Sequence, residues 1–390
     1  MFNNLTRRRF LVQSGTVLAA ISCPAILRGG QAPTVERISL KTLNPDRDAY
    51  LGWPTIAQTA KGELLVVCSG NRESHVCPFG QVWLYRSQDG GETWTWPQSI
   101  YDGPIDDRDA GILVTPKGTI LVTSFTSLAY WDHGLKQEID ARKTDGGKWT
   151  DERFAKWMAV HDRIANPEHE LGCWLFRSTD GGVNWDARID PLVNSPHGPI
   201  MLSDGRIFYP GKELWKTPKR NGFSISQDDG ATWSWGGEFP TRPGDNSEEY
   251  HELHGVEADS GKIVVQIRNH NKANSGETLQ TESSDGGKTW ATPHDIGVWG
   301  LPSHLLKLHD GRLLMTYGYR RQPFGNLARI SENEGQTWSE PITISDDGIG
   351  GDLGYPSTIQ REDGTLATVW YEVQAGSPKA VLRIARWKIT

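Results

Sequence analysis

Cysteine is scarce, with four in 390 residues, and neither a CxxC pair nor an HExxH stretch occurs. That excludes the commonest zinc and dithiol spacings. An excess of basic charge is missing too: the formal net charge is −7, which argues against nucleic acid as the partner. Long apolar runs are absent. The best candidate, Val17-Leu18-Ala19-Ala20-Ile21, is too short and interrupted to cross a bilayer, so no stable membrane insertion is expected. The acidic loops near Asp106 and Asp346 lack the spacing of an EF-hand loop. No cofactor and no metal are expected, and a structural Ca²⁺ is compatible with such loops but not indicated by them. Tryptophan, by contrast, is abundant at seventeen residues, and five of these belong to one repeated stretch.

That stretch is Ser87-Gln88-Asp89-Gly90-Gly91-Glu92-Thr93-Trp94. It recurs from Ser178 to Trp185, Ser226 to Trp233, Ser283 to Trp290 and Ser331 to Trp338, always as S-x-[DN]-x-G-x-[TN]-W. An Asp or Asn two residues after a Ser bonds its own backbone and holds a tight turn. The fixed Gly takes the positive φ of such turns, and the Trp offers a large apolar body for packing between units. Each copy follows a strand-like run such as Trp83-Leu84-Tyr85, so each reads as a hairpin turn. Start-to-start spacings are 91, 48, 57 and 48 residues. A period near 50 with several short strands is the mark of a propeller blade. The long first gap is expected to hold two blades, one without the turn. The fold class is therefore all-β, a six-bladed β-propeller over residues 35–390 whose ring is closed by a strand from the opposite terminus. Residues 131–170 break the β pattern. Phe154, Trp157 and Met158 predict a short amphipathic helix near 150–165, inserted over one blade as a possible lid.

The repeated turns resemble the Asp-boxes of the sialidase (neuraminidase) superfamily, in which they lie on the rim, away from the active site. The resemblance implies the same six-bladed propeller and a glycan or polysaccharide as substrate. At the other end of the chain, Thr6-Arg7-Arg8-Arg9-Phe10-Leu11 ahead of the short apolar run resembles a Tat export signal over residues 1–32. The expected location is periplasmic or secreted. Tat cargo folds before export, so the three cysteines left after removal of the signal need not form a disulfide framework. Oligomeric state is not legible.

Several loops mass ionisable residues. Arg72, Glu73 and His75 fall within four residues, and Arg108 is flanked by Asp106, Asp107 and Asp109. His197 sits between Pro/Gly kinks. The stretch 248–257 is the densest cluster, and on an alternating strand Tyr250, Glu252 and His254 would share a face. Arg268, the pair Arg320 and Arg321, and Tyr355 follow.

Sialidases use a Tyr nucleophile polarised by a Glu, three arginines for the sugar carboxylate, and an Asp as general acid. Tyr355-Pro356-Ser357 ahead of Asp363-Gly364 and Tyr371-Glu372 is similar to the family ending, and Glu252 with Arg268 matches the Glu and the second arginine. The pattern departs at Gly52-Trp53-Pro54, where the first arginine belongs, at Asn326-Leu327, where the third belongs, and at the acid. There His75 is the candidate, with Glu73 beside it. The expected catalytic residues are Tyr355, Glu252 and His75, and the expected substrate-binding residues are Arg72, Arg108, His197, His254, Arg268, Arg320 and Arg321.

Three functional classes stay open. One is a sialidase-like exo-glycosidase cleaving a terminal, acidic sugar. The second is a polysaccharide lyase acting by β-elimination at a uronic acid, as in rhamnose–glucuronate lyases, with His and Tyr as base and acid. The third is a non-catalytic glycan-binding propeller.

Overall fold

The computed structural model describes residues 33–44, 48–377 and 379–390. The export-signal segment lies outside them. Five four-stranded sheets and one three-stranded sheet form the blades of a ring. Blade 1 comprises Tyr50–Gln58, Leu64–Arg72, Gln81–Ser87 and Gln98–Tyr101, and blade 2 comprises Asp106–Val114, Ile120–Ser127 and Cys173–Ser178. Blade 3 is Ile200–Met201, Ile207–Lys212, Asn221–Ser226 and Ser234–Glu238, and blade 4 is Tyr250–Glu257, Ile263–Asn269, Glu277–Ser283 and His294–Trp299. Blade 5 is Ser303–Lys307, Leu313–Tyr319, Phe324–Ser331 and Ile342–Gly348. Blade 6 is Leu353–Gln360, Leu366–Val373 and Ala380–Ile389, completed on its outer edge by Val35–Thr42. The expected closure from the opposite terminus is thus what joins the ring.

The repeated turns follow the third strand of blades 1 to 5 and, except in the three-stranded blade 2, link it to the fourth. In every copy the Ser Oγ accepts the N–H of the fixed Gly, at 2.8–2.9 Å for Gly91, Gly182, Gly230, Gly287 and Gly335. The Asp or Asn side chain accepts the N–H of the residue before the Trp, as Asp89 does from Thr93 and Asn333 from Thr337. Six apolar clusters occupy the six seams between blades. Trp94, Trp185, Trp233, Trp290 and Trp338 each enter the seam behind their own blade, between blades 6 and 1, 1 and 2, 2 and 3, 3 and 4, and 4 and 5 respectively. At the sixth seam Trp370 and Trp387 of blade 6 do this instead.

One expectation about the repeats is corrected. The 91-residue gap holds a single blade, blade 2, together with its insertion between Ile120–Ser127 and Cys173–Ser178. The blade without the turn is blade 6. Its fourth strand arrives from the other end of the chain, so there is no third-to-fourth hairpin for the turn to make.

The insertion carries the expected helix, Asp151–Asp162, N-capped by Thr150, whose side chain accepts from Arg153 N. Its buried Trp157 joins Cys77, Ile105, Tyr130 and Leu135 in a cluster of their own, with Val76 and Phe79 packed against it. The helix therefore braces the loop that carries His75. Trp157 Nε1 also donates to Glu73 at 2.6 Å. Cys68, Cys77 and Cys173 are buried free thiols. No helix among the described residues is long and apolar enough to cross a membrane.

Ser178→Ala removes the acceptor for the buried Gly182 N–H, and leaving such a donor unpaired costs about 1–3 kcal/mol. Urea denaturation is expected to show a loss of that size. A change below ~0.5 kcal/mol, the scale of an ordinary surface substitution, would mean that the turns follow the fold without stabilising it.

Candidate active site

The innermost strands of four blades share an irregularity at the same end of the ring. The register slips by one residue between Gly52 and Thr55, Arg108 and Gly111, His251 and Leu253, and Gly354 and Ser357. Each slip is a bulge that places one extra residue on the inner strand. At each bulge a non-glycine residue takes a left-handed conformation: Trp53 at φ 53°, Asp109 at 46°, Glu252 at 45° and Tyr355 at 54°. Such conformations cost of order 1–3 kcal/mol each, and they recur where function over-determines the backbone. Here they turn four side chains toward one pit on the axis. The bulge also ends the expected alternation in blade 4. Glu252 faces the pit, while Tyr250 is buried with its hydroxyl on Asp245 at 2.7 Å.

At the centre of the pit the Tyr355 hydroxyl donates to Glu252 Oε1 in a very short contact, and Arg268 Nη1 donates to the same phenol oxygen at 3.0 Å. Arg268 also pairs with Glu252 Oε2. All three groups are largely buried. Burial, then the Glu252 charge, raises the Tyr355 pKa well above that of an ordinary phenol, against the pull of Arg268. Burial also works upward on Glu252, but Arg268 and the phenol's hydrogen bond outweigh it and the carboxylate titrates below its usual range. At rest the proton therefore sits on the tyrosine, beside a carboxylate placed to take it.

The wall opposite is aromatic. The Trp53 ring lies 6.4 Å from Tyr355 and 5.0 Å from His75, centroid to centroid, so phenol and imidazole face the same end of the ring. His75 Nδ1 lies 2.9 Å from Asp352 Oδ1 and 2.9 Å from the Tyr50 hydroxyl. Asp352 also accepts from Tyr50 at 3.0 Å and Tyr371 at 3.1 Å. Burial acts upward on Asp352, but the contact with His75 and the two phenol hydrogen bonds hold it below the usual carboxylate range. With Nδ1 so engaged, Nε2 of the part-exposed ring is left for a ligand.

Two further arginines reach the pit. The Arg108 guanidinium lies 4.5 Å over Trp53, with the nearer Asp106 contact at 3.8 Å. Arg320 lies 5.7 Å over the Tyr355 ring and donates to Leu353 O at 2.9 Å. Asp109, which sequence reading left outside the site, stands at the blade-2 bulge with Oδ1 buried and unpartnered. Burial raises its pKa to about 7, with Arg108 opposing and Glu252 adding.

Four expected ligands are not brought into the pit. Arg72 is fully buried, donates to both Asp106 oxygens at 2.6 and 3.0 Å and to His75 O at 3.0 Å, and so anchors the His75 loop rather than a substrate. His197 and His254 lie beneath the pit with His304, ring centroids 4.4–5.5 Å apart, beside an axial cavity of about 310 Å³ at the opposite end of the ring. Burial drives their pKa values down and keeps all three rings neutral at physiological pH. Arg321 points away from the pit, onto Trp299. Glu73, the other candidate acid, is occupied by Trp157.

On the rim, Glu249, His251 and His270 each bring one ligand-capable atom within 4.8 Å of the others. A metal needs the imidazole lone pairs. His270 Nε2 already accepts from Arg268 Nε at 2.7 Å, and Lys212 Nζ lies 3.5 Å from His251 Nδ1. The trio thus presents N–H groups and a carboxylate, which suits sugar hydroxyls better than an ion.

The family model of the BNR repeat-like domain matches residues 147–368, more than half of the chain. A sialidase of Bacteroides fragilis (strain YCH46) is 25% identical over 362 residues, covering 83% of this chain and 61% of that protein. A xyloglucanase of Paenibacillus sp. is 26% identical over 268 residues, 62% of this chain and 25% of that one. The chain thus spans less than two thirds of the length of either relative. Among solved structures, a protein of unknown function from Dyadobacter fermentans DSM 18053 has a TM-score of 0.70 at 23% identity, over 91% of this chain and 99% of that one. A Hadza microbial sialidase has a TM-score of 0.60 at 19% identity, over 86% and 65%. At these identities the structural likeness speaks for the fold.

Asp109 yields a prediction independent of activity. Its folded pKa is raised above the unfolded value, so the native state binds more protons between about pH 4 and 7, and stability falls as pH rises through that window. Asp109→Asn cannot ionise. Its melting temperature relative to the parent should therefore climb from pH 4 to pH 7 and level off above. A pH-independent difference would show that the carboxyl is not held neutral by burial.

Proposed function

Because the chain belongs to the BNR repeat-like family, within the sialidase superfamily, we propose that it is a carbohydrate-active hydrolase that removes a terminal, acidic sugar from a glycan. The observation that carries this reading is the Tyr355 hydroxyl held between Glu252 and Arg268. In the first step the phenol oxygen bonds to the anomeric carbon as its proton passes to Glu252. The glycosidic bond breaks and the leaving oxygen takes a proton from His75 Nε2. In the second step a water attacks the same carbon, gives its proton to His75 and releases Tyr355, which recovers its proton from Glu252. Splitting the displacement in two is what a positioned nucleophile contributes. Arg268 steadies the developing phenolate and Glu252 in turn, and Asp352 holds the imidazole in orientation. Arg108 and Arg320 are the cations offered to the sugar carboxylate, with Trp53 standing where sialidases have their first arginine. Asp109, neutral below about pH 7, is a donor for a ring hydroxyl.

A second reading has a specific observation in its favour: the His75–Asp352 pair faces Tyr355 across an aromatic wall, in a site with no arginine in the place of Trp53. In a lyase His75 would take the C5 proton of a uronate whose carboxylate is neutralised by Arg108. The electron pair would form the C4–C5 double bond, and Tyr355 would protonate the departing oxygen.

Incubation with sialylated and glucuronate-capped glycans in parallel separates the two. Release of a reducing sugar with no new ultraviolet absorbance is the expected result, and growing absorbance from an unsaturated uronate would replace hydrolysis by elimination. Tyr355→Phe and His75→Ala are each expected to lower turnover roughly a hundredfold or more with folding intact. Near-native turnover in either removes that residue from the mechanism.

A further inference from the structure

Outside the pit, a cavity of about 380 Å³ lies at the edge of blade 5, walled by Trp299, Tyr319, Arg321, Arg329, Thr343 and Asp346. Its floor is rigid. The Trp299 indole donates to Ser275 O at 3.1 Å, and the Tyr319 ring meets it edge-on at 5.8 Å and 89°. The exposed Arg321 guanidinium stacks over the indole, 3.7 Å from its centroid. Stacking fixes the plane of the fork and leaves its edge donors free, the state from which a guanidinium loses least on binding a carboxylate through two parallel hydrogen bonds. Of the other charges, Arg329 is already committed to the Tyr317 hydroxyl at 3.2 Å and Ser339 O at 2.6 Å, and Asp346 stands on the wall. The Tyr319 and Thr343 hydroxyls complete a lining that suits a carboxylated pyranose: one anion, several hydroxyls and an apolar face.

The place of this cavity in the chain gives it a role. Arg320, the residue before Arg321, turns the other way into the pit toward Tyr355. The two pockets therefore stand on either side of the end of one strand, Leu313–Tyr319. We propose that the Trp299–Arg321 cavity is a second glycan site, which holds an acidic sugar unit of a polysaccharide while another unit occupies the pit. That the pit takes a sugar rests on the function proposed above; that this cavity binds an acidic polymer does not.

The test uses the full chain carrying Tyr355→Phe, so that turnover cannot consume the probe. Electrophoresis in native gels containing polygalacturonate or polysialic acid is compared with gels containing neutral xyloglucan. Retardation is expected in an acidic polymer, with little in the neutral one. Adding Arg321→Ala should weaken binding roughly tenfold or more, and Arg321→Lys, which keeps the charge but loses the fork, should fall between. Thermal melts confirm that each variant is folded. Unchanged retardation on Arg321→Ala, equal retardation in neutral and acidic gels, or none in either acidic polymer overturns the proposal. Because binding is read without catalysis, a failed activity assay leaves this result standing, and the converse also holds.

Discussion

One extra residue on each of four inner strands is the constraint on which the site depends. A regular strand sends alternate side chains to opposite faces, and in a propeller the faces of the inner strand belong to the seams. A chain that kept perfect register would give those seams every side chain and the axis none. The bulges at Trp53, Asp109, Glu252 and Tyr355 break that rule at one height, at the expense of four left-handed non-glycine residues. The seams packed by the turn tryptophans hold the ring rigid enough to keep those conformations. Scaffold and site are thus coupled through strain, although the turns sit on the outer rim.

Burial at the axis then does the electrochemical work. Tyr355, Glu252 and Arg268 are three ionisable groups out of water, and none would be tolerable alone. Together they hold one net proton between phenol and carboxylate, with the guanidinium touching both. The same burial acts a few ångströms below, where no counter-charge opposes it and it strips charge from His197, His254 and His304. Buried ionisable groups here thus keep or lose their charge according to whether a counter-charge stands beside them.

The scaffold was readable because its signal is local. A Ser, an Asp and a Gly within five residues close their own hydrogen bonds whatever surrounds them, so five copies spelled out blades. The same logic misplaced the blade without a turn, because spacing counts residues and cannot tell a blade from the helical insertion between Ser127 and Cys173. At the site, Tyr355, Glu252, Arg268 and His75 were legible as motif or loop chemistry. Arg72 was misread because its partner, Asp106, comes from the next blade, and Asp109 and Asp352 were passed over for the same kind of reason. Asp109 depends on a bulge, which no residue-type pattern announces, and Asp352 meets His75 from 277 positions away. The face predicted for Tyr250, Glu252 and His254 failed at the bulge between them.

The pairing of Val35–Thr42 with Ala380–Ile389 has a temporal side. A ribosome makes the first of these strands before any blade exists and the second after all the others are done. The first therefore waits, without its strand partner, through the synthesis of everything between them. Contacts so far apart in sequence form slowly, and the closed ring is out of reach until the last blade has emerged. Five blades can assemble during translation, but the seam between blades 6 and 1, which carries both Trp53 and Tyr355, comes together only afterwards. A nascent chain of this fold cannot bring Trp53 and Tyr355 together until the moment it becomes a circle.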